Sequence, residues 1–310
     1  MRRLGTPCLL MAAALGIGVA GCRAPVSEEA AEPATTPEPG VVEVRAEDYS
    51  FTAPPSFPSG WVKLRFHNAG AEPHFMFMLD LPDGVTFDDY AADVAQPFGE
   101  LYAKYRAGEL EQAAFLEQLG AAVPEWFMTA PRVGGAGFTS PGETSETMIH
   151  LQPGDNYTIE CYVRTMTAGD TFHGDHGMLR PLIVGDEPTG LEPPASDIDI
   201  RLSNYDIAVD GDLTAGRHIV RVRVEEDPEG LIRHNVHLAR LEDEPATAVA
   251  LWMNWVDELM PPAPARFLGG AGQMSAGGES YLDIDLTPGR YAWISETYGP
   301  QGMIHEFTVE

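Results

Sequence analysis

An internal duplication constrains the fold of this 310-residue chain more than any other feature. Four blocks recur in the same order in its two halves: residues 47–51 and 203–207, each followed by a strand-like segment; 69–81 and 229–241; 134–137 and 269–272; and 153–161 and 288–295, followed by 177–184 and 302–309. A repeat of roughly 110–150 residues is too long for a solenoid unit and suits a whole domain. The sequence therefore predicts two tandem domains of one fold.

Both halves carry the pattern of β-strands. Segments such as 61–66 and 217–222 alternate in polarity, and Gly, Pro, Asn and Asp bound them, as is typical of strands in a β-sandwich. In the first half, apolar residues at helical spacing predict a helical insert at about 88–119, and residues 247–260 predict a shorter one. We therefore expect a mainly β chain of two β-sandwich domains with short helical excursions between strands.

The first 40 residues have the pattern of an exported lipoprotein. Arg2 and Arg3 precede a short apolar run, 9–20, which leads through Gly21 into Cys22. The run is too short to span a bilayer, and its basic start and small-residue end are parts of a cleaved leader. Residues 19–22 resemble the lipobox of bacterial lipoproteins, which implies lipidation of Cys22.

The leader and the repeats together predict the domain organisation. We expect a signal peptide at 1–21, a disordered tether rich in Glu, Pro, Ala and Thr at 22–40, domains at 41–186 and 197–310, and a linker at 187–196. The mature protein is then exported and held by its lipid on a bacterial membrane, on the periplasmic or outer-membrane face.

The charge of the chain limits the classes of partner that it can bind. Asp and Glu number 47 and Lys and Arg 19, which gives a formal charge of −28. Such a surface repels phosphate at long range, so we expect no nucleic-acid partner. Cations are the small partners that this charge favours.

Of the three cysteines in the chain, one has a thiol whose role remains to be explained. Cys8 lies in the predicted leader and Cys22 at the predicted lipidation site, which leaves Cys161 as the only thiol of the mature protein without an assigned role. An unpaired thiol in an oxidising compartment is either a buried small residue or a metal ligand or reactive site.

Residues that could bind a soft metal ion occur around this thiol. Strand alternation places His74, Met76 and Met78 on one face, and residues 173–178 contain two histidines and a methionine. Imidazole, thiolate and thioether are the ligands that copper selects, and two His, one Cys and a weak axial Met define a blue-copper site.

The order of these residues resembles the cupredoxin (blue copper, plastocyanin and azurin) pattern: Asn68-x-Gly-x-x-x-His74, then Pro-Gly-x-x-Tyr-x-x-x-Cys161, then His176-Gly-Met178 before a last strand. The resemblance implies Greek-key β-sandwiches, one copper ion in the first domain, and His74, Cys161, His176 and Met178 as its ligands. Here 14 residues, 162–175, separate Cys161 from His176, against a few in the family. The loop must therefore fold back, or substitutes must serve: His173, Asp175, Met76 and Met78.

The second repeat lacks this ligand set. Ser295 stands where the first repeat has Cys161, and Gln301 stands where it has His176, which leaves only His234 and Met303. We expect a structural or partner-binding copy without a copper site.

Two functions remain open from the sequence. The first is a membrane-anchored cupredoxin-like protein that passes electrons, or delivers copper, to a redox or copper-accepting protein partner. The second is a metal-free binding or scaffold lipoprotein on the same sandwich. The catalytic motifs G-x-S-x-G and H-E-x-x-H and a P-loop are missing from the sequence, so we do not expect an enzyme.

Overall fold

The computed structural model describes residues 38–310 apart from positions 166, 168, 204 and 255–258. The described part contains 17 strands and five short α-helices, so the prediction of a mainly β chain of β-sandwich type with short helical excursions is confirmed. The strands of the first repeat are β1 Val41–Glu47, β2 Ser50–Thr52, β3 Ser56–Asn68, β4 Phe77–Asp80, β5 Thr144–Leu151, β6 Gly154–Glu160, β7 Arg164–Thr165, β8 Thr171–Phe172 and β9 Leu179–Pro188. Those of the second are β10 Ile198–Ser203, β11 Asp206–Asp210, β12 Gly216–Val224, β13 His234–Leu241, β14 Arg266–Met274, β15 Glu279–Leu286, β16 Gly289–Ile294 and β17 Ile304–Val309.

The two repeats share several strand pairings. In the first repeat β1 pairs parallel with β3, β3 pairs antiparallel with β5, and β6 lies between β4 and β9. In the second, β10 pairs parallel with β12, β12 pairs antiparallel with β15, and β16 lies between β13 and β17. The duplicated sequence therefore encodes a duplicated topology.

Strand alternation builds the core of each sandwich. On β1 the buried residues Val42, Val44 and Ala46 alternate with more exposed ones, and β3 follows the same rule over most of its length. Period-2 burial of this kind is expected where one face of a sheet covers a core and the other faces water.

The two repeats are joined in one sheet. The order of its main path is β11-β10-β12-β15-β5-β3-β9-β6-β4, and the repeats meet where β15 pairs antiparallel with β5. Four strands of the second repeat, in the order β14-β13-β16-β17, form a separate sheet.

The duplicated Gly-Gly-Ala-Gly blocks form a second junction. Ala136 and Ala271 pair as an antiparallel bridge, and the amide of Gly137 donates to the carbonyl of Gly270 across 3.0 Å. A Cβ atom on Gly137 would lie 2.6 Å from the Gly270 backbone, so only glycine permits this approach. The blocks therefore serve as packing elements between the repeats.

The helical excursion of the first repeat is longer than the predicted 88–119. It contains α1 Phe87–Tyr90, a π-helical turn at Ala91–Ala95, α2 Gln96–Arg106, α3 Gln112–Ala122 and α4 Glu125–Thr129. The excursion of the second repeat contains α5 Ala246–Trp252. No helix among the described residues is long and apolar enough to cross a bilayer.

Candidate metal centre

His74 lies just before β4, on a loop whose shape depends on Asn68. The Asn68 side-chain amide donates to the carbonyls of Glu72 and Thr139, each at 2.8 Å, and its oxygen accepts from the Gly70 amide at 2.9 Å. A Cβ atom on Gly70 would lie 2.7 Å from His74 Nε2. The Asn68-x-Gly70 pair of the sequence motif therefore fixes the loop and leaves room for the His74 ring.

Cys161 follows the last residue of β6 and is fully buried as a free thiol. Its amide donates to the carbonyl of Met178 at 2.9 Å, which ties it to the far end of the ligand loop. Backbone groups of Phe75 and Val163 hydrogen-bond its sulfur, but burial outweighs them and raises the pKa of the Cys161 thiol to about 12. A thiolate here needs a nearby positive charge.

The long loop after Cys161 folds back as a β-hairpin. Strands β7 and β8 pair antiparallel, and the Asp170 carboxylate near the turn forms an ion pair with the buried Arg164. The amide of His173 then donates to the Val163 carbonyl at 2.8 Å. The hairpin absorbs most of the extra residues and returns His173 to Cys161.

The helical excursion packs against this hairpin. The ring of Phe172, the residue before His173, lies 4.9 Å from the Phe98 ring and 4.5 Å from the Tyr102 ring, measured between centroids. Both aromatic residues belong to α2. The two insertions of the first repeat thus support each other, and the excursion helps to fix the loop that carries His173.

Three potential metal ligands converge at this point. His74 Nδ1 lies 3.1 Å from His173 Nδ1, and the Cys161 sulfur lies 3.8 Å from the first and 3.5 Å from the second. All three side chains are fully buried. Among the described residues these three form the only cluster of at least three His, Cys, Asp or Glu side chains with metal-binding spacing.

Carboxylates orient both imidazole rings. His74 Nε2 donates to Asp48 Oδ1 at 2.7 Å, and His173 Nε2 donates to Glu72 Oε2 at 2.8 Å. Burial lowers the pKa of His74 and lowers that of His173 to about 2, so both rings are neutral near pH 7. A neutral ring that donates from Nε2 has an unprotonated Nδ1. Two lone pairs therefore face each other across 3.1 Å, beside a buried sulfur.

This donor set fits a soft metal ion. Imidazole nitrogen and thiolate sulfur bind zinc at about 2.0 and 2.3 Å, and copper(II) and copper(I) favour the same donor types. Three donor atoms separated by 3.1 to 3.8 Å can therefore share one ion. A cation between the Nδ1 atoms would also remove the repulsion between their lone pairs.

The remaining sequence-predicted ligands differ in their burial and contacts. His176 is exposed, and its Nε2 lies 2.7 Å from Thr171 Oγ1 rather than in the cluster. His173, expected only as a substitute, takes its place.

Met178 is fully buried, and its amide donates to the His173 carbonyl at 3.1 Å. Met76 and Met78 are also fully buried, and a Cβ on Gly135 would contact the Met78 side chain at 3.3 Å. Asp175 is exposed, and its carboxylate accepts from the Phe172 amide at 3.0 Å.

The second repeat reproduces the backbone of this centre with other side chains. The Ser295 amide donates to the Met303 carbonyl at 3.1 Å, and the Met303 amide donates to the Tyr298 carbonyl at 3.2 Å. These bonds match those of Cys161 and His173, so Ser295 replaces the thiol and Tyr298 replaces His173. His234 remains, buried, with no hydrogen-bond partner for Nδ1 in the described part of the chain. One imidazole with no thiolate is a poor copper site.

Asp48 and Glu72 were not predicted from the sequence. Asp48 is distant in sequence from the histidines, and Glu72 reaches His173 across 101 positions. The one available signal was position: Asp48 lies in the first duplicated block, and Glu72 lies two residues before His74. The predicted signal peptide and Cys22 lie outside the described residues.

Comparisons with known proteins give only distant likenesses. No family model matches the chain, and no curated protein matches it. A solved structure of auracyanin B is 24% identical and covers 39% of this chain and 92% of its own, with a TM-score of 0.28. Auracyanin A, a "blue" copper protein from the green thermophilic photosynthetic bacterium Chloroflexus aurantiacus, is 18% identical over 47% of this chain and 98% of its own, with a TM-score of 0.28. A multicopper oxidase is 15% identical over 87% of this chain and 88% of its own, with a TM-score of 0.23. At such scores the function must be argued from the geometry of the site.

Proposed function

We propose that the protein binds one copper ion through His74, His173 and Cys161 and serves as a one-electron carrier. The observation that carries this proposal is the facing pair of Nδ1 atoms, 3.1 Å apart, with the Cys161 sulfur beside them. When bound, copper would supply the Cu(II)/Cu(I) couple. The proposal assigns no catalysed reaction to the chain.

The residues around His74, His173 and Cys161 influence the protonation of these ligands. Asp48 and Glu72 accept the Nε2 protons and so keep each Nδ1 free; such outer carboxylates also raise the basicity of the imidazole. The backbone groups of Phe75 and Val163 that hydrogen-bond the sulfur lower the pKa of the Cys161 thiol, against the effect of burial. The ligand positions are therefore set before any ion enters.

The burial of the site favours electron transfer over copper delivery. The side chains of His74, His173 and Cys161 are all 0% exposed. A delivery protein must pass its ion to ligands of a partner, which requires an open side of the site. Electrons can cross a short distance of protein without contact, and a rigid ligand set reduces the reorganisation that each transfer requires.

We also propose that the carrier is exported and anchored through Cys22, where a redox protein partner meets it at the membrane. The support is the leader and lipobox pattern of the sequence. Labelling cells with a radioactive fatty acid tests this part: the wild type should carry label and sediment with membranes, and the Cys22→Ser variant should lose both. A labelled Cys22→Ser variant would contradict it.

The copper proposal is tested by adding Cu(II) to the metal-free protein and to the Cys161→Ser variant. The wild type should bind one ion per chain with an intense visible band from the sulfur, and ascorbate and an oxidant should remove and restore the band. The Cys161→Ser variant should lack it. If the wild type retains no copper, the proposal fails and the metal-free binding or scaffold function takes its place.

A further inference from the structure

A largely apolar cavity lies where the helical excursion, the ligand loop and the second repeat meet. Its wall includes apolar side chains from all three parts, among them Val94, Phe98, Phe127, Leu179 and Ile232. Apolar walls with a few polar groups are typical of sites for small organic ligands. The identity of those polar groups decides which class of ligand fits.

Arg132 lines this cavity and is 2% exposed. Its Nη1 donates to the carbonyls of Phe127 and Ala130 at 2.5 and 2.7 Å, and its guanidinium lies 4.5 Å from the centre of the Phe127 ring. Its Nε and Nη2 have no hydrogen-bond partner in the described part of the chain. A buried guanidinium with two unused donors is costly unless an acceptor completes it.

Arg132 also lacks a counter-ion. Among the described residues no carboxylate lies within 4.0 Å of its guanidinium, although the whole chain has an excess of acids. Burial, with Arg233 nearby, lowers the pKa of Arg132 to about 10, which leaves it charged at neutral pH. A buried cation that forms no direct ion pair with a described carboxylate favours an anion as its partner in an apolar cavity.

The acidic side chains that line the cavity form hydrogen bonds with partners other than Arg132. Glu160 accepts a hydrogen bond from the Tyr90 hydroxyl at 2.6 Å. Asp175 accepts from the Phe172 amide at 3.0 Å. Each of these carboxyl groups therefore has its own partner, and the buried Nε and Nη2 of Arg132 remain without an acceptor among the described residues.

We propose that this cavity binds a small carboxylate with an apolar, preferably aromatic, body. The carboxylate accepts from Nε and Nη2 of Arg132, and the body contacts Phe98, Phe127 and Val94. The two donors lie on one side of the guanidinium, which suits the paired oxygens of a carboxylate. This site is separate from the proposed copper ligands, so the metal-free protein should bind the same ligand.

Calorimetry with the metal-free protein tests the inference, with benzoate as the probe and benzamide as its uncharged isostere. Benzoate should bind at one site, at least about tenfold more tightly than benzamide, as the loss of a charge-assisted hydrogen bond implies. Arg132→Gln should abolish this preference, and the control Arg290→Gln, a half-exposed arginine outside the cavity wall, should retain it.

A cavity-filling variant keeps the test valid if Arg132→Gln fails to fold. Val94→Phe leaves Arg132 intact and occupies the space of the aromatic body, so it should weaken benzoate binding at least about tenfold. Equal affinity for benzoate and benzamide, no binding of either by the wild type, or wild-type binding of benzoate by folded Arg132→Gln or Val94→Phe would overturn the inference.

Discussion

The Nδ1 atoms of His74 and His173 face each other 3.1 Å apart, although 99 positions separate the two residues in the chain. Each ring is held from behind by a carboxylate, Asp48 for His74 and Glu72 for His173. Two lone pairs held at this distance repel each other unless a cation lies between them.

The assignment of His173, rather than His176, as a copper ligand is directly testable. His173→Ala removes a donor from the cluster and should abolish the sulfur-to-copper band of the Cu(II) protein. His176→Ala is the matched control, because its exposed ring bonds Thr171 outside the cluster, and it should keep the band. Absorption and electron paramagnetic resonance spectra check both. Loss of the band in His176→Ala with its retention in His173→Ala would contradict the assignment.

The two carboxylates should tune the copper site without binding the ion. Asp48→Asn and Glu72→Gln weaken the hydrogen bonds to Nε2, which lowers the basicity of the imidazoles and disfavours Cu(II). Each variant should lower Cu(II) affinity by about 10- to 100-fold and raise the reduction potential, as measured by competition with a chelator and by voltammetry. Glu47→Gln is the control, because Glu47 pairs with Arg45 on the surface. Unchanged potentials in both variants would show that the carboxylates have no such role.

The correspondence between the repeats predicts that a second site can be rebuilt. Ser295→Cys combined with Tyr298→His would place a thiol and a second imidazole beside His234, whose Nδ1 has no partner among the described residues. We expect the stoichiometry of bound copper to rise from one to two ions per chain, as measured by elemental analysis after dialysis. The single variant Tyr298→His is the control and should remain at one ion. A folded double variant that still binds one ion would refute the correspondence.

A buried acid in the second repeat should make stability depend on pH. Burial raises the pKa of Glu296 to about 8, while Tyr162 and Asn235 donate to its Oε2 at 2.8 and 3.1 Å. Because its folded pKa exceeds its unfolded value of 4.5, the folded state retains a proton that the unfolded state releases. This contribution to stability is complete below about pH 4.5 and is lost as the pH rises to about 8.

Glu296→Gln is the test of this dependence, since its amide oxygen can accept the same hydrogen bonds without titrating. The free energy of unfolding of the wild type minus that of the variant should fall as the pH rises from 5 to 8. Its slope is at most about 1.4 kcal/mol per pH unit. Urea unfolding of the metal-free proteins measures the difference, and parallel curves over this range would refute the prediction.

The duplication and the strand alternation were sufficient to predict the fold class. The glycine blocks at 134–137 and 269–272 were recognised only as a repeated segment, whereas in the structure they pair with each other across the repeats. The sequence alone does not predict this pairing, because glycine is expected both in a turn and where two backbone segments lie close together. The pairing of β5 with β15 depends on long-range contacts, which local patterns do not encode.

The site was predicted in part. His74, Cys161 and Met178 follow the family order, but His176 was preferred over His173 because it directly precedes Gly177 and Met178. Residues 173–176 form a 3₁₀ turn that begins at the buried His173 and ends at the exposed His176. Alignment of the repeats through Gly174 and Gly299 pairs His173 with Tyr298, and the backbone bonds of Met178 and Met303 follow that pairing. The sequence contained this signal, but a length difference of nine residues in the loop concealed it.

A crystal structure of the copper-loaded protein, with anomalous diffraction recorded at the copper absorption edge, tests the central claim most directly. Our account predicts one anomalous peak per chain, bonded to His74 Nδ1, His173 Nδ1 and the Cys161 sulfur, with Asp48 and Glu72 still on the Nε2 atoms. A peak bonded to His176, or a copper-soaked crystal with no peak between His74 and His173, would contradict it.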